Sequence, residues 1–327
     1  MKAAIITKPG GPEVIEVKDV PQPKPAADQV LVRVRASALN RADLLQRQGR
    51  YPAPPGSPAD IPGLEFAGEV AECGPDARLW QPGARVFGLV GGGAQAEYVV
   101  AHERALAEVP ANLSWTEAAA VPEVFITAHD ALWIQAALRP NERVLINAVG
   151  SGVGLAATQL ARAIGAVPFG TSRTADKISR AKQLGLEAGA AVGDPAKELP
   201  ELAKRWTPGG FDVVIDLVGG PYVGAAVETL GMKGRLILVG TTGGGTAEIK
   251  SGSMLYKRLT VKGTSLRARP LEEKIAATLA FAREVVPLLA TGKVKPVIDR
   301  VFSLAEIAAA HSRLESNETF GKVVIEI

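Results

Sequence analysis

The chain has 327 residues, enough for two separately cored units, because single cores stop growing at about 250–300 residues. It is 47% hydrophobic and 22% charged, an ordinary globular mixture. With 37 basic against 34 acidic residues the net charge is only +3, which argues against a general nucleic-acid or membrane surface.

Residues 1 to about 120 read as mostly β. Met1 to Lys8 is a short strand pattern without the apolar core of a signal peptide. Ala3–Ile6, Val14–Val17, Val30–Arg35, Gly68–Ala71 and Arg85–Val90 are short runs separated by proline and glycine clusters. Pro21 to Pro25 and Tyr51 to Pro58 are stiff extended connections, since proline fixes φ and donates to no ladder. Ser37 to Gly49 reads as a loop entering a short helix, and Ala96 to Val100 as a further strand. Cys73, the sole cysteine, excludes an intrachain disulfide and a multi-cysteine zinc site, and suits a reducing cytoplasm. No apolar run reaches the ~20 residues a bilayer requires, so the expected location is cytoplasmic.

The pattern changes at Ser114-Trp-Thr-Glu117, a capping box that opens alanine-rich helical sequence as far as Ala137. From Arg143 strand and helix alternate. Val144–Asn147 leads to a helix over 153–164. Val167–Thr171 leads to a helix over 175–184, ended by Gly185. A weak strand is expected near Ala190–Val192. Val213–Leu217 leads to a helix over 222–230, and Arg235–Val239 and Thr260–Lys262 close the series. Such alternation calls for a doubly wound parallel α/β sheet. The tail differs: helix over 271–289, strand Val297–Val301, helix Leu304–Glu315, final strand Lys322–Ile327. It reads as returning to the first domain, which is then discontinuous.

Between the strand at Val144 and its helix lies Gly150-Ser-Gly-Val-Gly154. Gly150, Ser151, Gly152, Val153 and Gly154 form a turn whose backbone N–H groups, with the helix dipole behind them, suit a pyrophosphate. The next strand decides between cofactors. An NAD-selective site usually ends it with a carboxylate for the ribose 2′-OH. Here it ends Gly170-Thr-Ser-Arg-Thr174, and Ser172, Arg173 and Lys177 offer a hydroxyl and two cations that suit a 2′-phosphate. The reading is therefore NADPH. Asp216-Leu-Val-Gly-Gly220, with Val218, and the loop that opens at Gly240 end later strands on the same side. They are either walls for the nicotinamide half or simple tight turns.

Ala38-Leu-Asn-Arg-Ala-Asp43, Ile61-Pro-Gly-Leu-Glu-Phe-Ala-Gly-Glu-Val70, Ser151-Gly-Val-Gly154 and Phe320-Gly-Lys-Val-Val-Ile325 together resemble the zinc-independent medium-chain dehydrogenases/reductases of the zeta-crystallin-like quinone oxidoreductase type. The resemblance runs the length of the chain. It implies a Rossmann domain over 123–266 and a β-rich chaperonin-10 (GroES)-like domain over 1–122 and 267–327. It also implies a homodimer, paired through the edge strand at Leu259–Lys262. Zinc-dependent relatives place cysteine at the position of Asn40 and histidine at that of Leu64. Neither residue here can ligate zinc as a catalytic site requires, so no metal is expected, and hydride transfer suits an acceptor that is already electrophilic.

The same resemblance implies roles. Asn40 lies near the nicotinamide ribose and the substrate. Tyr51 faces the substrate cleft, where it hydrogen-bonds or stacks on the acceptor, or else packs beside the proline run. Thr127 contacts the nicotinamide side, Leu266 and Arg267 line the same region, and Asn317 lies against the cofactor. Asn317 read without the resemblance is a helix C-cap. Val192 departs from NADPH-dependent relatives that carry tyrosine there. The expected activity is an NADPH-dependent quinone oxidoreductase with a small-molecule quinone or enone as substrate. The alternatives are a 2-alkenal or enoyl-thioester double-bond reductase and, in another class, an RNA-binding or structural module. With only 5% aromatic residues, stacking platforms for RNA are scarce.

Overall fold

The computed structural model describes residues 1–327, which form two compact units, Met1–Ile126 with Leu266–Ile327 and Thr127–Ser265. The strands of the leading segment are β1 (Lys2–Ile6), β2 (Ile15–Asp19), β3 (Gln29–Ala38), β4 (Glu65–Cys73), β5 (Arg85–Leu89), β6 (Tyr98–His102) and β7 (Leu106–Glu108). The second unit contributes β8 (Arg143–Ile146), β9 (Val167–Ser172), β10 (Ala188–Ala191), β11 (Phe211–Asp216), β12 (Leu230–Leu238) and β13 (Thr260–Gly263). The tail supplies β14 (Ile298–Ser303) and β15 (Lys322–Glu326).

In the first unit β3 is the organising strand. The sheet runs β14-β15-β3-β4-β5-β7, with β6 also paired to β3. Val30, Val32 and Val34 of β3 point into a core shared with Phe66, Val70 and Val86, as alternate residues of a strand must share a face. Antiparallel pairing of β15 with β3, Val324 opposite Ala38, brings the tail back to the start of the chain. There Val323 and Ile325 pack with Leu39, Leu44, Ile307 and Leu314.

The second unit is a six-stranded parallel sheet in the order β10-β9-β8-β11-β12-β13. Counted within the unit this is 3-2-1-4-5-6, the doubly wound arrangement with its ligand crevice where the order reverses, between β8 and β11. Val144, Leu145 and Ile146 are buried, as expected of a central parallel strand covered on both faces.

Several elements differ from the sequence expectation for local reasons. The helical sequence expected from the Ser114 capping box to Ala137 is divided into Trp115–Ala119, Pro122–His129 and a π-helical stretch Asp130–Gln135. Pro122 cannot donate a backbone bond, so the chain restarts there. The helix at 271–289 is likewise divided, at Val285 before Pro287. The strand expected at Ala96–Val100 is Tyr98–His102. Two helices were not foreseen, Pro195–Trp206 and Ser251–Lys257. Pro200 masks the first, yet Leu199 and Ala203 are buried and Trp206 stacks on Phe169 with ring centroids 5.6 Å apart. No helix is long and apolar enough to cross a membrane.

Candidate active site and nucleotide crevice

In the second unit the chain leaves β8 through Asn147 and Ala148, the latter in the left-handed region at φ 57°, and turns into helix Gly152–Ala163. Ser151 caps that helix, its Oγ accepting from Gly154 N at 3.1 Å. Ser151, Gly152 and Val153 stay half-exposed, while the helix from Gly154 to Ala161 is buried. The tip thus presents first-turn N–H groups, which have no partner within a helix, to whatever occupies the crevice. Gly154 is required by close approach: a Cβ there would lie 2.7 Å from Ala148 O and Val149 Cα.

The residues expected around the phosphates divide by exposure. Ser172 is buried at the end of β9, Arg173 is exposed, and Lys177 is half-buried. Lys177 lies along the glycine turn, since a Cβ on Gly150 would meet its Cδ at 2.9 Å. Across the strand ends, Thr171 Oγ1 donates to Asn147 Oδ1 at 2.9 Å. Asn147 Nδ2 in turn reaches Asp216 Oδ1 at 3.5 Å. Asp216 accepts from Val218 N and Gly219 N at 3.0 and 3.1 Å, which fixes the loop after β11. Burial raises its pKa above the ordinary carboxylate range, while those bonds oppose the rise. Gly240 follows β12 and packs on the same loop, a Cβ there lying 2.7 Å from Leu217 O. Thr127, at the start of this unit, is buried. A helix tip with open N–H groups, cations beside it and a fixed loop opposite fit a dinucleotide.

The first unit contains a buried charged cluster. Lys322 Nζ donates to Leu39 O and Asn40 Oδ1, both at 2.7 Å, and lies 2.6 Å from Glu65 Oε1. Asn40 Nδ2 donates to the same Glu65 oxygen at 2.8 Å, and the other, Oε2, accepts from Glu123 N at 2.8 Å. Asp43 accepts from Asn40 N at 2.7 Å and Gly63 N at 2.9 Å. Burial nevertheless raises its pKa to about 6. Glu123 is raised to about 7, first by burial and then by Glu65, with Lys322 opposing.

Glu123 lines a small cavity, with room for about one water, bounded by Leu64, Leu89, Val90, Ile126, Leu266 and Ala277, with Arg267 and Lys274 as its cations. Arg267 is itself anchored, donating to Gln46 Oε1 at 2.6 Å, Gly91 O at 2.9 Å and Tyr51 O at 3.4 Å. Its guanidinium lies 4.9 Å from the centre of the Tyr51 ring, a stacking contact. The structure thus joins Asn40 to a buried ion pair and brings Tyr51, Leu266 and Arg267 together around or beside one cavity. Asn317, at φ 64°, accepts a bond from Arg41.

Sequence reasoning singled out neither Glu65, Glu123, Lys274 nor Lys322. The available signals were local: Lys322 is the charged residue that opens the apolar run Val323–Ile325, and Glu123 follows Pro122 at a helix start. At the positions discussed for zinc stand Asn40 and Leu64. No group of three or more His, Cys, Asp and Glu side chains is arranged to hold a metal ion.

A six-stranded doubly wound sheet with a glycine-turn crevice, joined in one chain to a β-rich domain built from both termini, defines a dinucleotide-dependent oxidoreductase class. Comparison with known proteins agrees. Residues 26–111 match the alcohol dehydrogenase GroES-like domain and residues 186–325 a zinc-binding dehydrogenase domain. The quinone oxidoreductase of Lama guanicoe is 32% identical, the alignment covering 99% of this chain and 97% of that protein. The crystal structure of Escherichia coli quinone oxidoreductase complexed with NADPH superposes with a TM-score of 0.88 at 28% identity, covering both chains fully. An NAD-dependent alcohol dehydrogenase structure gives 0.87 at 31% identity, again over both chains. The chain belongs to the medium-chain dehydrogenase/reductase family, and it is an oxidoreductase using a nicotinamide cofactor.

Proposed function

We propose that this oxidoreductase takes NADPH and reduces quinones, or closely related conjugated carbonyl compounds, without a metal ion. The observation that carries the reading is the set Asn40, Leu64, Glu65 and Lys322. Where zinc-dependent relatives have two metal ligands, this chain has a carboxamide and an alkyl group, and Lys322 already compensates the adjoining carboxylate at 2.6 Å. A site of that composition offers no Lewis acid from its own side chains, so the acceptor must be electrophilic in its own right.

When bound, the reduced nicotinamide supplies the hydride. The chain's residues bind and orient. The Gly150–Gly154 turn takes the pyrophosphate, with Ser172, Arg173 and Lys177 toward the 2′-phosphate. Val218 and Gly240 support the nicotinamide half together with Thr127, and Asn40, Tyr51, Leu266, Arg267 and Asn317 complete the surroundings of cofactor and acceptor. The names of the Lama guanicoe and Escherichia coli relatives support both the quinone and the NADPH assignments. Pairing of two copies through the free edge of β13, in a cytoplasmic enzyme, is part of the same reading.

The deciding experiment follows oxidation of NADPH and of NADH with 1,4-naphthoquinone, 1,2-naphthoquinone, 2-alkenals and enoyl thioesters. Expected is turnover of the quinones with NADPH preferred. Turnover confined to alkenals or enoyl thioesters would replace the quinone by a carbon–carbon double bond, and a preference for NADH would overturn the 2′-phosphate assignment.

A further inference from the structure

Three polar side chains stand behind the walls of the nucleotide crevice, at the carboxyl ends of β8, β9 and β11. They are Asn147, Thr171 and Asp216, and each is 0% exposed, so none of them reaches a ligand directly. Asn147 is the middle one. Its Oδ1 accepts from Thr171 Oγ1 at 2.9 Å, and its Nδ2 faces Asp216 Oδ1 at 3.5 Å. The amide has one good orientation, since turning it over would set its oxygen against the carboxylate.

Each neighbour of Asn147 carries one wall. On one side, Thr171 O accepts from Val149 N at 2.8 Å, which ties down the residue that leads into the glycine turn. Between Asn147 and Val149 stands Ala148 at φ 57°, a left-handed conformation that a non-glycine residue keeps only where its surroundings impose it. They do so here from both sides, because Asn147 N is also held, donating to Ile215 O at 3.0 Å. On the other side, Asp216 accepts from Val218 N and Gly219 N at 3.0 and 3.1 Å. The strand order reverses between β8 and β11, so the glycine turn and the Val218–Gly219 loop are the two lips of the crevice.

We propose that Asn147 is a positioning residue for the cofactor: its one buried amide sets the glycine turn and the Val218–Gly219 loop relative to each other, acting through Thr171 and Asp216. A dinucleotide that lies across both lips needs them at a fixed spacing, and a wall set in advance spares the ligand the cost of ordering it. This role concerns the nicotinamide dinucleotide alone and holds whichever acceptor is reduced.

Two measurements test this. The first needs no cofactor. Thr171→Val removes the hydroxyl and keeps the branched shape, which frees the amide of Asn147 to turn away from Asp216. Amide exchange of Val218 and Gly219, read by NMR, should then accelerate at least about tenfold more than that of Leu145 in the middle of β8. Thr171→Ser, which keeps the hydroxyl, should exchange as the wild type does. No acceleration at Val218 and Gly219, or an equal one at Leu145, overturns the proposal. The second measurement is calorimetric titration with NADP⁺ and with NAD⁺. Asn147→Asp places a second carboxylate 3.5 Å from Asp216, where like charges cannot both ionise without strong repulsion. The dissociation constant of whichever nucleotide the wild type binds should rise at least about tenfold in Asn147→Asp, and at least about threefold in Thr171→Val with recovery in Thr171→Ser. Wild-type affinity in folded Asn147→Asp or in Thr171→Val overturns the proposal. The exchange measurement decides even if neither nucleotide binds, so failure of the positioning role and failure of the cofactor assignment are separated.

Discussion

Replacing Lys322 by methionine removes the cation from the buried cluster while nearly preserving side-chain length. Lys322 is 4% exposed and Glu65 fully buried, with nitrogen and oxygen 2.6 Å apart. At an effective dielectric of ~20 that attraction is roughly 6 kcal/mol, before the cost of taking both charges out of water. Removing one partner of such a pair leaves a buried, uncompensated charge and costs about 3–5 kcal/mol. Three close contacts vanish together, to Leu39 O, Asn40 Oδ1 and Glu65 Oε1, so the upper part of that range is expected. At about 2–4 °C per kcal/mol for units of this size, Tm should fall by roughly 10–20 °C. Calorimetry and urea unfolding read this directly. Lys322→Met combined with Glu65→Gln should recover at least half the loss, because the neutral amide leaves no buried charge unpaired and its one oxygen still accepts from Glu123 N. A single variant that loses less than about 1 kcal/mol, or a double variant no better than the single, would refute the account of an obligatory pair. The same substitution has a pH signature. Lys322 favours the ionised form of Glu123, so its loss should push the Glu123 pKa above about 7, read by ¹³C NMR titration of the carboxyl.

Two further outcomes follow from the packing. Gly154→Ala places a Cβ 2.7 Å from Val149 and Ala148 backbone atoms, which cannot yield as a flexible side chain does. The helix tip must shift, and NADPH affinity, read by fluorescence titration, should fall at least about tenfold, the ~1.4 kcal/mol of one misplaced pyrophosphate contact; unchanged affinity would remove the turn from the phosphate site. His311 is buried and neutral, its pKa lowered from 6.5 to about 3 by burial and by Arg47. Its stabilising contribution is therefore present above pH 6.5 and lost as pH falls from 6.5 toward 3. The unfolding free energy of His311→Leu should decline less steeply than that of the wild type over this interval, and parallel slopes would contradict the assignment.

What was legible in the sequence was what is encoded locally. The apolar run Val144–Ile146, the three glycines and the helical spacing beyond them lie within about twenty residues, and each has one structural solution. The capping box at Ser114 is equally local and forms, with Glu117 N donating to Ser114 Oγ at 3.3 Å. The return of the tail to the first sheet was legible because the doubly wound alternation stops after Lys262. Glu123 and Lys322 were not. Lys322 meets Asn40 at a sequence separation of 282, and Glu123 meets Glu65 at a separation of 58. Before the chain is folded, one is a charge opening an apolar strand and the other an ordinary acidic residue in a helix's first turn, a place where acids are common for reasons of the helix dipole. Helix Pro195–Trp206 was missed for a different reason. Pro200 lies inside it, and what holds it is the Trp206–Phe169 contact rather than propensity.

The two units use buried carboxylates to opposite ends, and the hydrogen bonds decide which. Asp216 sits at the carboxyl end of β11, where Val218 N and Gly219 N close onto it. Asn147 and Thr171 link it to the ends of β8 and β9. An apolar side chain at this position would leave two loop N–H groups without partners, a cost of about 1–3 kcal/mol each. The loop therefore holds one shape whether or not a ligand is present, as a binding wall should. Glu123 is half-buried and lacks the same donors. The protein supplies it with like charge from Glu65 and Asp43 and with a cavity in place of partners. A carboxyl so treated does not fix a loop; burial and like charge favour its protonated form.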